Sequence, residues 1–423
     1  MRTSLVTGAG LVLLAAGPAF ADDRPTPTTG AEYNRTMAET DVADRRQEQY
    51  SPDGVRIADF LIFPKAELDE QLSDNIYAAA NRRRGDLTTT LSPSIVIKSD
   101  FAQHEISLSA SSDFAFFKRY TDEDTQHYNV TASGKLDVTR DAQLTMSATY
   151  DDGSEPRSSP DPNLGRHPTP VINKTVSVGG DYHPARVWLK GDASFQRLDF
   201  GDVGTDTGAV IANHLRNRDI VQGGVRAAYE IVPNYFAFVE VRANNRVYDQ
   251  PNAIGVNRNS HGWEERAGTD LELTGKLHGD IYAGYLTQDF RSSTYKEVSG
   301  LSMGADLVWN PTALTTVKLL VQRTVEDTVD IRASSYLSTQ THLFADHELR
   351  RNIIVSVDGG YGRNAYQGDG VHQNVYDGGF KLAYKFNKMA YSGLIYHYYQ
   401  RDSTVDTETY HENRMILALG LQY

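Results

Sequence analysis

From Ile106 to the final residue, apolar side chains return at every second position in one segment after another, with short polar punctuation between segments. Successive side chains of a strand point to opposite faces, so a period of two marks a sheet with one apolar and one polar face. The last segment sets Met415, Leu417, Leu419, Leu421 and Tyr423 on one side and Ala418, Gly420 and Gln422 on the other. A chain that stops on an aromatic in such a strand fits the closing strand of an outer-membrane barrel, whose terminal ring sits at the membrane interface.

The same division holds upstream. Ile106, Leu108 and Ala110 alternate with serines; Tyr128, Val130, Ala132, Leu136 and Val138 alternate with Lys135 and Asp137; Val187, Leu189 and Phe195 oppose Lys190 and Asp192, with Trp188 on the polar side. Val225, Ala227 and Tyr229 oppose Arg226 and Glu230, and Val239 and Val241 oppose Glu240 and Arg242. Leu301, Met303, Ala305, Leu307 and Trp309 oppose Asp306; Val355, Val357 and Tyr361 oppose Asp358; Phe380, Leu382, Tyr384 and Phe386 oppose Lys381 and Lys385. Between Tyr391 and Tyr399 tyrosines fall on both faces, and no register follows. A soluble sandwich hides its apolar face inside, whereas a large barrel turns that face to lipid and hydrates its lumen. Closure also removes the sheet edges that nothing in hydrocarbon could satisfy. Charges confined to one face of many consecutive strands therefore predict an all-β, antiparallel, up-and-down transmembrane barrel.

Connections alternate in length. About eight are short, as at Thr139-Arg140-Asp141, Pro233-Asn234, Gly275 to His278 and Phe386-Asn387-Lys388, and about nine are longer and polar. That alternation predicts 18 strands, with 16 as the alternative, and both barrel ends on the short-turn, periplasmic side.

Met1-Arg2, the apolar Leu5 to Ala16 and Ala19-Phe20-Ala21 read as a secretory signal peptide over 1–21. Residues 22–56 read as a polar periplasmic tail with a helical piece from Ala31 to Gln49, or as a plug or docking segment, and 57–423 as the barrel. No later apolar run approaches the roughly 18 residues of a spanning helix. A mean hydropathy of −0.48 would suit a soluble protein, but a barrel with a wet interior gives the same average.

The absence of cysteine excludes disulfides, thiolate metal sites and cysteine nucleophiles. A net charge of −13 argues against nucleic acid. The twelve histidines are scattered, with no HExxH, GxSxG or P-loop pattern. No catalytic, metal or cofactor set is therefore expected, and a channel is favoured over an enzyme.

The candidate functional residues are lumen-facing: Lys190, Asp192, Arg226, Glu240, Arg242, Asp306, Lys318, Asp358, Lys381 and Lys385. Charges of both signs among hydroxyls and aromatics suit hydrated, hydroxyl-rich solutes. For any one of these residues, pairing with a neighbour is the plainer expectation. The link Gly153 to Val171 carries five prolines and reads as an exposed loop, with a semi-rigid lid or inward constriction as the sharper alternative. Arg82-Arg83-Arg84 would meet lipopolysaccharide phosphates or serve as a solvated charge run.

Phe60-Leu61-Ile62-Phe63-Pro64-Lys65-Ala66-Glu67-Leu68 with Ser73-Asp74-Asn75-Ile76-Tyr77 resembles the first strand of the β-barrel porin type 2 family. Leu91-Ser92-Pro93, Trp309-Asn310-Pro311 with Leu314-Thr315-Thr316, and Asp346-His347-Glu348-Leu349 before Arg351-Asn352 are similar to it too, in the same order. The resemblance runs from about Phe60 to Tyr423. Some members of that family are associated with exopolysaccharide or capsule secretion, where barrels of about 18 strands give a polymer its exit from a periplasmic export protein. The resemblance thus implies polysaccharide export, with a diffusion porin for small hydrophilic solutes or an adhesin-like structural barrel as alternatives. It brings no catalytic residues.

Overall fold

The computed structural model describes residues 41, 42, 45, 47–160, 165–273 and 276–423. The signal segment and most of the expected 31–49 helix lie outside them. The strands are β1 (Phe60–Ser73), β2 (Asp86–Ser99), β3 (Glu105–Phe117), β4 (Thr125–Thr139), β5 (Ala142–Ser154), β6 (Pro170–Tyr182), β7 (Val187–Phe200), β8 (Arg218–Val232) and β9 (Tyr235–Tyr248). They continue as β10 (Ser260–Leu273), β11 (Leu277–Phe290), β12 (Val298–Thr312), β13 (Thr315–Glu326), β14 (Tyr336–Arg350), β15 (Ile353–Tyr366), β16 (His372–Lys385), β17 (Ala390–Ser403) and β18 (Tyr410–Gln422). Each pairs antiparallel with its neighbours in sequence, and β1 pairs with β18, Leu68 opposite Leu419 and Lys65 opposite Gln422. The result is a closed 18-strand barrel. A short strand, Val55–Ile57, folds back on the start of β1.

Turns after the even-numbered strands have two to five residues, and loops after the odd-numbered strands have five to seventeen. The two-residue turn Pro233-Asn234 shows why such links close tightly. Proline fixes the first φ, Asn234 takes a left-handed φ of 68°, and its amide donates to the Glu230 carboxylate at 3.0 Å. In the turn after β10, residues 274 and 275 lie outside the described ones.

The outer face reads as a membrane belt. Near the short turns it exposes Phe101, Tyr182, Tyr229, Trp309, Tyr384, Phe386 and Tyr423, and nearer the loops Phe116, Tyr128, Tyr150, Phe195, Trp263, Tyr285, Tyr361, Tyr376 and Tyr396. Between these rings lie aliphatic side chains such as Leu108, Met146, Val178, Val239, Val357 and Leu419. On β15, Tyr361 stands eight residues beyond Ile353, which pairs with Tyr384, roughly 26 Å along a strand at 3.3 Å per residue. That span, tilted, fits an apolar band of about 25 Å between aromatic girdles. No described helix is long and apolar enough to cross a membrane. In β17 the outer face is Leu394 and Tyr396, while Tyr391 is buried on the inner one, which resolves the ambiguous segment.

Two features depart from the sequence reading. Glu265 is exposed on the outer face between Trp263 and Ala267, level with Tyr285, so charges do not keep wholly to one face. The inner wall is not uniformly wet either: Trp188, Ala228, Phe236 and Phe238 form one buried apolar cluster, and Val171, Leu198, Phe200 and Ile220 another.

Candidate functional site: the lumen and its two mouths

Ion pairs between strands several places apart identify the concave face, because such side chains meet only across the interior. Arg226 on β8 lies 2.8 Å from Glu240 on β9, 3.3 Å from Asp280 on β11 and 3.6 Å from Asp270 on β10. Arg242 reaches Asp192 on β7 at 2.8 Å and Glu240 at 2.9 Å. Lys190 sits 3.5 Å from Asp270 and 3.6 Å above the Trp188 ring, and Arg266 holds Glu264 at 2.7 Å. Phe238 lies under Arg226 and Tyr282 under Arg266, so aromatic faces replace part of the lost hydration. The network is almost wholly buried, and its members neutralise one another.

Five of the ten expected lumen residues, Lys190, Asp192, Arg226, Glu240 and Arg242, thus fall in one network. Asp306 is in register with Asp280 at its edge. Lys318 stands apart, ion-paired to Asp41 of the tail. Asp358 faces His397 and Asp377 on a different part of the wall, and Lys381 and Lys385 are inner-face residues of β16 placed opposite Ser356 and Tyr391. Asp270, Asp280, Glu264 and Arg266 are missing from the sequence reading. Strand β10 hid Glu264, Arg266 and Asp270, because the outward Glu265 breaks the alternation there, whereas Asp280 stands on β11.

The proline-rich 155–169 loop corrects the expectation of an exposed loop. Its described residues, 155–160 and 165–169, form a strap over the loop-side mouth that joins β5 and β6 to β15, β16 and β17 across the ring. Tyr366 donates its hydroxyl to the Pro160 carbonyl at 3.2 Å, Gln373 donates to the same carbonyl at 3.0 Å, and Arg401 donates to the Ser159 carbonyl at 2.9 Å and to that of Ser158. At the near end Arg157 forms a salt bridge with Glu123 at 2.6 Å, and Arg216 with Glu155 at 2.6 Å. Beneath the near end lies a cavity of about 220 Å³ lined by Gln71, Thr90, His127, Asp151, Glu412 and Arg414 among others.

A second inward loop follows β13. Asp327 accepts from Arg246 at 2.9 Å and forms an ion pair with Arg218 at 2.9 Å, and Arg258 donates to the carbonyls of Thr328 and Asp330. Burial alone would raise the Asp327 pKa, but Arg246 and Arg218 outweigh it and hold the carboxyl at about 2. At the short-turn mouth, Asp41 and Val42 are buried. The Val42 amide donates to the Thr316 hydroxyl at 3.1 Å, and Gln47 donates to Glu348 at 3.0 Å. This part of the tail therefore lies inside the mouth, along β13 and β14. In the first outer loop, Arg84 stacks on Tyr77 and Tyr120, and Arg83 lies 3.9 Å from Asp74.

Solved structures similar to this chain include the siderophore receptor PirA from Acinetobacter baumannii, with a TM-score of 0.48 at 6% identity over 86% of this chain and 80% of that one. The receptor of the same name from Pseudomonas aeruginosa scores 0.46 at 7% identity over 86% and 80%. The outer membrane protein OpdK from Pseudomonas aeruginosa scores 0.45 at 10% identity over 86% and 99%. No curated protein matches the sequence. The model of the family described as "Putative beta-barrel porin 2" matches residues 48–423, which takes in every strand of the ring but not Asp41, Val42 and Gln47 at its mouth. The chain belongs to that family and is an outer-membrane β-barrel of porin-like, channel type.

Proposed function

We propose that the barrel is a gated channel for hydroxyl-rich solutes, carbohydrate above all. The observation that carries this reading is the pairwise neutralisation of the inner wall: Arg226, Arg242, Arg266 and Lys190 are each matched by carboxylates. Such a wall sets up no single-sign field that would trap or exclude ions.

The finer form of the proposal is the exit of an exopolysaccharide or capsule polymer, handed over by a periplasmic export protein at the short-turn mouth. Arg82 and Arg83 in the first outer loop would face lipopolysaccharide phosphates. A second reading, diffusion of small hydrophilic solutes, is favoured by the strap, which divides the mouth into passages narrower than a bare 18-strand ring. Deletion of the gene separates the two. Loss of surface polysaccharide with intact small-solute uptake supports export, and steady conductance of the purified barrel in a planar bilayer supports the porin. Intact polymer and permeability with lost surface attachment would sink both in favour of an adhesin-like barrel.

A further inference from the structure

Four consecutive strands, β14 to β17, carry a second constellation that the ion network does not reach. In register, His342, Gly360, Asp377 and Tyr399 form one row, and Phe344, Asp358, Gly379 and His397 form the row nearer the short turns. Asp358, Asp377 and His397 each offer a ligand atom, and the three atoms lie within 4.8 Å of one another. His342 Nδ1 is 3.7 Å from Asp377, and His397 Nε2 is 4.0 Å from Asp358. These separations are too long for hydrogen bonds. They are close to the roughly 3.4 Å between neighbouring ligands of a tetrahedral ion with bonds of about 2.1 Å.

The backbone beneath is cut to fit. A Cβ on Gly360 would fall 2.2 Å from Asp377 Oδ1 and 2.6 Å from His342 Nδ1, and one on Gly379 would fall 2.4 Å from Asp358 Oδ1. Both glycines sit in the middle of strands, where glycine weakens a sheet and marks a close approach. The donors occupy the space that side chains at those two inward positions would fill. Among the described residues neither carboxylate is ion-paired to a lysine or arginine, whereas Asp192, Glu240, Asp270 and Asp280 in the network of β7 to β11 each are. Arg414, which is in register with His397, is held instead by Glu412 at 2.7 Å.

We propose that this cradle binds a divalent transition-metal cation on the lumen wall, with Asp358, Asp377 and His397 as ligands and His342 completing the set. Two imidazoles and two carboxylates without a thiolate suit Zn²⁺ and its neighbours rather than Ca²⁺, Mg²⁺ or Cu⁺. The ligands are one-eighth to one-third exposed, so the ion would be reachable from the lumen. The next row towards the loops contains Gly362, Val375 and Arg401, which places the ion one row below the anchor of the strap.

The test is titration of ZnCl₂ into the detergent-purified barrel, carrying no polyhistidine tag and stripped with EDTA, by calorimetry. One Zn²⁺ per barrel is expected, with at least tenfold weaker binding in H397A, in D377N and in G360A, which inserts a methyl group into the cradle. H104A and H261A should bind as the parent does. Each variant is first checked for the heat-modifiable folded band, and H397Q stands in for any that fails to fold. Absence of a stoichiometric site in the parent, or unchanged affinity in the H342A/H397A double variant, overturns the proposal.

Discussion

Arg226 is the residue on which the inner wall depends most, since it faces Glu240, Asp270 and Asp280 at once. Arg226→Met leaves those carboxylates buried without their common partner, and about 3–5 kcal/mol of stability should be lost. The readout is the temperature at which the folded band converts to the unfolded one in gels. Asp327 makes a pH-dependent contribution of definite sign. Its carboxyl is held at about 2 in the folded loop, below the ordinary value of roughly 3.9, so its stabilisation is complete above pH 4 and lost as pH falls towards 2. The melting temperature of the parent should therefore drop across that window, and D327N should flatten this part of the drop. On the lipid face Leu419 lies midway between Tyr423 and Met415, and Leu419→Arg should cost about 2–4 kcal/mol in urea unfolding from bilayers. An unchanged midpoint would place Leu419 off the membrane midplane.

At the level of elements, the strap and the inward loop after β13 convert a wide ring into a divided mouth. Replacing residues 157–166 with a short Gly-Ser linker should raise single-channel conductance several-fold, and Arg401→Ala should give a smaller rise with more frequent open–closed transitions. Equal conductance in all three would show that the strap does not lie in the ion path. The strands themselves were legible because a period of two is a local signal: Val225, Ala227 and Tyr229 against Arg226 need only their own neighbours in sequence. The strap was not. Its anchors Tyr366 and Gln373 lie more than two hundred residues from Pro160, and five prolines fit an exposed loop as well as a lid. Asp270 was hidden for a different reason, since a single outward carboxylate, Glu265, spoils the binary pattern of β10. The glycines of β15 and β16 carried a signal that periodicity alone could not interpret, because their meaning lies in the atoms that lean over them.

For the whole molecule, the decisive property is closure. Joining β1 to β18 leaves no strand of the described 18-strand ring with an open row of amides and carbonyls. Removing residues 410–423 opens two edges at once, so no heat-modifiable band and no membrane-inserted species should form. The register of the ring makes an independent prediction. Cysteines at Leu382 and Tyr384 should react with membrane-confined reagents, and cysteines at Lys381 and Lys385 only with reagents that enter the lumen. The reverse pattern would mean a slip of one residue, which exchanges every face.

The far end of the strap is held through the carbonyl oxygens of Ser158, Ser159 and Pro160, whereas the donating side chains belong to the wall. Main-chain acceptors are the same whatever amino acid carries them. The side chains at 158 and 159 can therefore change without loosening the hold, and the burden of keeping the crossing in place falls on Arg401, Gln373 and Tyr366, buried in the wall.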